Sequence, residues 1–353
     1  MRRLIMICLM MLIAAVGLTS MRLLLAPNNP SKIESQKRMM PKAFGTLILW
    51  DAATGQELYA LAGHGESVQG VTFCCDGKRI ASCSLDCTIR VWSIDTGSEL
   101  KCIRGHTRGV LSVDFSRDGE RIVSGGQDAT TRIWDATSGR ELFCLRGHDF
   151  WVNCVAFSPD GNQVVSGGQD GIIRLWDARR GLELRSFRGF GQVRGVTFSP
   201  DGRRIAACGG NLFTPAIPGA MKIWDIETGE EQDLIELNGG QATGIAFSSG
   251  DKELVCAVSG LDIHARPVSN NVQFWDIGTR RITRNLKGHL RPVCGFAVAP
   301  RGEHVVSASE DRTVRVWNVE SGLETRTFFG HNGYVACVAI SLDGKRVASG
   351  GGS

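Results

Sequence analysis

Seven of the eight tryptophans in this 353-residue chain fall into one register: Trp50, Trp92, Trp134, Trp176, Trp224, Trp275 and Trp317, at spacings of 42, 42, 42, 48, 51 and 42. A period of this size means one supersecondary unit copied along the chain, each copy too small to bury its own apolar face and so obliged to stack on the next. The unit is clearest from Gly147 to Asp177, GHDFWVNCVAFSPDGNQVVSGGQDGIIRLWD, which opens on Gly-His and closes on Trp-Asp. Its apolar runs are short, β-branched and bounded by SPDG and GGQDG, the pattern of strands and tight turns rather than helices. Gly-His recurs at Gly63-His64, Gly105-His106, Gly288-His289 and Gly330-His331, whereas the fourth and fifth copies carry Gly189-Phe190 and Gly239-Gly240.

Each copy supplies four strands, for which the third copy gives a (Val152 to Phe157), b (Gln163 to Gly167), c (Ile172 to Trp176) and d (Glu183 to Phe187). Ser158-Pro159-Asp160-Gly161 reads as a type I turn with proline preset at its second position. A composition of 44 Gly against 10 Pro suits many such turns better than a disordered tract. One position in strand a stays small in every copy: Gly70, Ser112, Cys154, Gly195, Gly244, Gly295 and Cys337.

These motifs resemble the WD-repeat family of β-propellers over residues 44–353. The resemblance implies an all-β fold, a seven-bladed β-propeller closed by a blade shared between N- and C-terminal strands, in which the small position of strand a faces crowding towards the axis. It also implies a structural hydrogen-bond set in each regular blade: His64, Ser82, Asp86 and Trp92; His106, Ser124, Asp128 and Trp134; His148, Ser166, Asp170 and Trp176; His289, Ser307, Asp311 and Trp317. The Trp ring is expected to pack while its indole N–H reaches the Ser hydroxyl, because buried polar groups need partners. His, Ser and Asp also make up a hydrolase triad, but repetition once per blade favours scaffold over catalysis. For closure, the last copy ends after strands a and b, and Gly45 to Trp50 with Glu57 to Leu61 reads as the missing c and d.

The fourth and fifth copies also lack the aspartate of the b–c turn and have longer b–c segments. Loops on a rigid scaffold are where binding concentrates, so Phe213 and Ile217 in one insert and His264 and Arg266 in the other are partner-contact candidates. The competing reading is that such blades tolerate longer loops at little cost. Arg108, Trp151, Arg291 and Tyr334 follow the Gly-His slots and are expected on the same face. Trp151, the one Trp outside the register, is weighed as a hot spot against simple packing on a neighbouring blade, with packing preferred.

Before the repeats, Arg2 and Arg3 precede an apolar run from Leu4 to Leu18, and a second patch ends at Ala26. Residues 1–26 therefore read as a signal peptide or N-terminal membrane anchor and residues 27–43 as a linker. Translation from Met21, Met39 or Met40 would instead leave a cytoplasmic protein. Without Arg2, Arg3 and Arg22 the balance is 37 basic against 36 acidic residues, too even for nucleic-acid binding through a basic stripe. Eleven cysteines beyond Cys8 are too dispersed for a disulfide framework, although Cys83 and Cys87 could bridge the b–c turn after export. Cys74 and Cys75 lie about 20 Å from Cys83 and Cys87 by strand rise, which denies them a shared metal. With five of seven His in Gly-His pairs, and no P-loop, GxSxG or dinucleotide fingerprint, neither metal, cofactor nor enzymatic activity is expected. The expected function is a monomeric, non-catalytic scaffold for one or more proteins, touching membrane only through its N-terminal segment. The alternative is a secreted or periplasmic propeller that binds, or hydrolyses, a small ligand or glycan at the channel mouth.

Overall fold

The computed structural model describes residues 45–210, 219–237, 240–248, 250–259 and 270–352. Within them lie seven four-stranded antiparallel sheets. The a strands are Val68–Phe73, Val110–Phe115, Val152–Phe157, Gln192–Phe198, Gln241–Phe247, Val293–Val298 and Val335–Ile340, for blades one to seven. Each packs beside the next and the seventh beside the first, so these strands form the inner ring. Six blades are built in sequence order from a to d. In the seventh, strands a and b (Arg346–Gly352) pair with c (Gly45–Asp51) and d (Glu57–Leu61) from the other end of the chain, with Ile48 opposite Ser349.

The apolar core lies between blades rather than within them. Ile89, Val91 and Ile103 of blade one join Val110, Phe115 and Trp134 of blade two in one cluster, and six other clusters have the same two-blade character. Around the far side from the Gly-His loops, arginines stitch the same interfaces. Arg121 lies 5.5 Å from the Phe157 ring of the next blade and donates to Gly161 O at 2.7 Å; Arg79 and Arg204 repeat the contact over Phe115 and Phe247.

Strand a carries a β-bulge near its start in every blade, with an extra residue at Gln69, Leu111, Asn153, Arg194, Thr243, Cys294 and Ala336. The small position follows directly. A Cβ on Gly195 would stand 3.0 Å from Ile245 N and 3.1 Å from Gly244 Cα of the next inner strand, so the crowding is between neighbouring blades around the ring. The bulge re-aims the preceding side chain out of the strand alternation.

Turn chemistry fixes the remaining connections. In the a–b turn, Gly161 adopts φ +70°, and Asp160 accepts the Asn162 N–H at 2.9 Å. In the c–d turn the Asp of Trp-Asp is the turn's cap: Asp135 accepts both the N–H and the hydroxyl of Ser138 at 2.7 Å.

Candidate functional site

The regular blades share a four-residue relay at the Gly-His face. In blade one, Trp92 Nε1 donates to Ser82 Oγ at 2.8 Å, Ser82 Oγ lies 2.8 Å from His64 Nε2, and His64 Nδ1 lies 3.0 Å from Asp86. The carboxylate only accepts, so His64 Nδ1 is the donor to Asp86, and with a neutral imidazole Nε2 accepts the Ser82 O–H. His106, Ser124, Asp128 and Trp134 repeat this geometry, as do His148, Ser166, Asp170 and Trp176, and His289, Ser307, Asp311 and Trp317. Blade seven assembles its own version across the chain ends: Trp50 Nε1 to Ser349 Oγ at 2.8 Å and His331 Nε2 to Ser349 Oγ at 2.7 Å.

The aspartates tie this relay to the backbone. Asp86 also accepts Gly65 N, Thr88 N and Thr88 Oγ1. Burial works to raise its pKa, yet these hydrogen bonds, led by His64, hold its carboxyl well below the usual range. Asp128 and Asp311 are held down in the same way, and Asp170 is lowered as well although Ile172 replaces the threonine. Ser82, Ser124, Ser166, Ser307 and Ser349 are 0% exposed. Each hydroxyl is enclosed beneath an indole, where a substrate carbonyl has no approach, so the triad-like connectivity acts as a brace.

A second repeated device had no place in the sequence reading. Arg174 donates to Glu183 across strands c and d at 2.7 Å and to Gly147 O at 2.8 Å. Arg132–Glu141, Lys222–Glu231 and Arg315–Glu324 are its equivalents at 2.6, 2.9 and 2.6 Å, and Arg90 pairs with Glu99. The glycine of Gly-His follows from this packing: a Cβ on Gly63 would come within 2.8 Å of Arg90 Nη1 and 2.9 Å of Trp92 Cη2. The signal was available as a basic residue two before each of these Trp and an acidic one seven after.

Blades four and five lack the relay, since neither the Gly-His histidine nor the b–c turn aspartate is present. Their a–b ladders open on Gln192 opposite Gly210 and Gln241 opposite Ser259, a backbone step that regular blades also make, as with Gln169 N to Trp151 O at 2.8 Å in blade three. Trp275 Nε1 turns to Gln273 Oε1 at 3.2 Å, and Lys222 lies over the Trp224 ring. Phe213, Ile217, His264 and Arg266 lie outside the described residues, as do residues 1–44.

The other candidates, Arg108, Trp151, Arg291 and Tyr334, follow the Gly-His slots, with Phe150 and Leu290 as their sequence neighbours. Phe150, Trp151, Leu290 and Tyr334 keep 60%, 40%, 83% and 38% of their surface exposed, and Arg108 and Arg291 are exposed beside them in sequence. Tyr334 is anchored by a 2.9 Å hydrogen bond to Ser67, across the closure from blade seven to blade one. Arg104, Arg146 and Arg188 end the d strands of three successive blades and are exposed. Cys83 and Cys87 both hold free thiols; burial next to Cys337 pushes that of Cys83 far up, away from thiolate chemistry.

Seven blades, four of them held by a Trp–Ser–His–Asp brace, define a WD-repeat β-propeller, and the chain belongs to that family. It matches the family described as WD domain, G-beta repeat at residues 55–93, 97–135, 139–177, 181–225, 280–318 and 322–353. The span between 226 and 279, which holds strand d of blade four and strands a to c of blade five, lies outside the matched repeats. Among similar proteins, autophagy-related protein 16 of Arabidopsis thaliana is 33% identical over 143 residues, 40% of this chain and 26% of the relative. The guanine nucleotide-binding protein subunit beta of Nicotiana plumbaginifolia is 26% identical over 163 residues, 44% of this chain and 41% of the relative. The periodic tryptophan protein 2 homolog of Dictyostelium discoideum is 27% identical over 188 residues, 43% and 20% respectively. The chain thus spans well under two thirds of the length of these relatives.

Proposed function

We propose that this propeller is a non-catalytic platform that binds another protein through the face carrying the d–a and b–c connections. The observation that carries the reading is the exposure there of Phe150, Trp151, Leu290 and Tyr334 together with Arg108 and Arg291, since aromatic and Arg side chains dominate binding energy in protein interfaces. Arg104, Arg146 and Arg188 have no acidic partner among the described residues and favour a partner with acidic groups at its rim. The inserts with Phe213, Ile217, His264 and Arg266 would add to the same face. One relative is by its name a subunit of a larger protein, which agrees with an assembling role. Residues 1–26 would export or anchor the body, a monomeric propeller.

The test is cross-linked purification of the full chain from membrane and soluble fractions. The double substitution Phe150→Asp with Trp151→Ala should release the partner, while Leu342→Asp, in an a–b turn at the opposite end of the blades, should not. Retention by the double variant, or equal loss from both, overturns the assignment.

A further inference from the structure

The seven bulge residues form a ring on the innermost strands, and all are partly exposed. Three of the four polar ones are satisfied by the propeller wall. Asn153 Nδ2 donates to Val193 O of the next blade at 2.8 Å, Thr243 Oγ1 to Val293 O at 2.8 Å, and Gln69 Nε2 to Ser67 Oγ at 2.9 Å. Arg194 is the exception. Its side chain makes no hydrogen bond or ion pair to the described residues, and its Nε is buried without an acceptor.

No counter-charge stands by on the inner ring. Asp114 is the only other charged residue of the seven a strands. It belongs to blade two, where its oxygens accept Phe157 N at 3.0 Å and Thr72 Oγ1 at 3.4 Å. Burial draws the Arg194 pKa down, and the one opposing influence is the thiol of Cys208. A half-buried guanidinium with an orphan donor is costly unless an anion completes it. Nothing else in the fold requires a cation there: the corresponding bulge positions hold Gln, Leu, Asn, Thr, Cys and Ala.

We infer that Arg194 is the anchor of an oxyanion-binding site in the central channel, flanked by Asn153 and Thr243. The ligand class is a small oxyanion rather than a halide, because the planar guanidinium presents donors spaced for two oxygens of one group. This site is independent of the exposed aromatic face and stands or falls separately from it.

The experiment is thermal unfolding of the full chain with inorganic phosphate, sulfate, acetate or chloride at matched ionic strength, in wild type, Arg194→Gln and Arg194→Lys. At least one oxyanion should raise the wild-type Tm by about 2–5 °C at saturating excess, with chloride giving no such rise. The rise should vanish in Arg194→Gln and be reduced in Arg194→Lys, which keeps the charge but loses the fork. Tetrahedral and planar ligands are told apart by the phosphate, sulfate and acetate arms. Without added oxyanion, Arg194→Gln should unfold no lower than wild type, since it removes an uncompensated charge. Equal oxyanion stabilisation of wild type and Arg194→Gln, or none in wild type, overturns the site.

Discussion

Asp114 shows how one side chain can set a pH dependence opposite to that of the braces. Burial, only partly offset by donors from Phe157, Phe115 and Thr72, pushes its carboxyl up to about 6 from the ordinary 3.8. Between those two values the folded protein binds the extra proton, so this residue's contribution to stability falls as pH rises through the window, by about 3 kcal/mol in all. Asp86, Asp128, Asp170 and Asp311 act the other way: their carboxyls are lowered on folding, so their contribution is lost as pH falls below the usual carboxylate range. Comparing Asp114→Asn with wild type by chemical unfolding separates the effects. The variant should be the more stable at pH 7.5 and lose its advantage by pH 4; a constant difference across that range would refute the assignment. The brace residues were legible in the sequence because they recur at fixed spacing. Arg194 was not, since a bulge interrupts strand alternation at one residue and leaves the 42-residue register untouched.

The b–c turn exposes a mismatch between the element and its residues. Its left-handed position is Gly171 in blade three, with φ +79°, but Cys87, Ala129 and Arg312 in blades one, two and six, with φ +66°, +60° and +71°. A side chain in that region costs about 1–2 kcal/mol, against about 0.5–1 kcal/mol of added backbone entropy for glycine. Ala129→Gly should therefore stabilise by up to about 1 kcal/mol, visible as a small rise in Tm. Gly171→Ala should destabilise by more than the reverse change gains, because its Cβ would also meet Phe190 O at 2.2 Å. If Ala129→Gly lowers Tm, local strain is not what limits this turn. Strands and turns could be read from SPDG, GGQDG and the β-branched runs to within a residue or two. The side-chain contacts of blades four and five could not, because a missing His and Asp mark only what was lost, whereas Gln273 accepting from the Trp275 indole and Lys222 over the Trp224 ring belong to no repeated set.

At the scale of the ring, every blade depends on both neighbours for its core, and the chain ends meet inside one sheet. Leu47, Ile48, Leu49, Trp50 and Leu61 are at most 2% exposed and divide between the clusters on either side of blade seven. Each contributes about 1.5–3 kcal/mol by burial, so together they rival the whole stability of a typical domain. Removing residues 44–61 would also strip strand Arg346–Gly352 of one of its two partners, leave Ser349 without the Trp50 indole and open a sheet edge. The deletion should abolish cooperative folding of the ring rather than shave a few degrees from its Tm. A 44–61 peptide added in trans should recover part of the transition, since the pairing it supplies is noncovalent. An unchanged melting temperature in the deletion would mean that blade seven is dispensable and that closure is not what holds the propeller together.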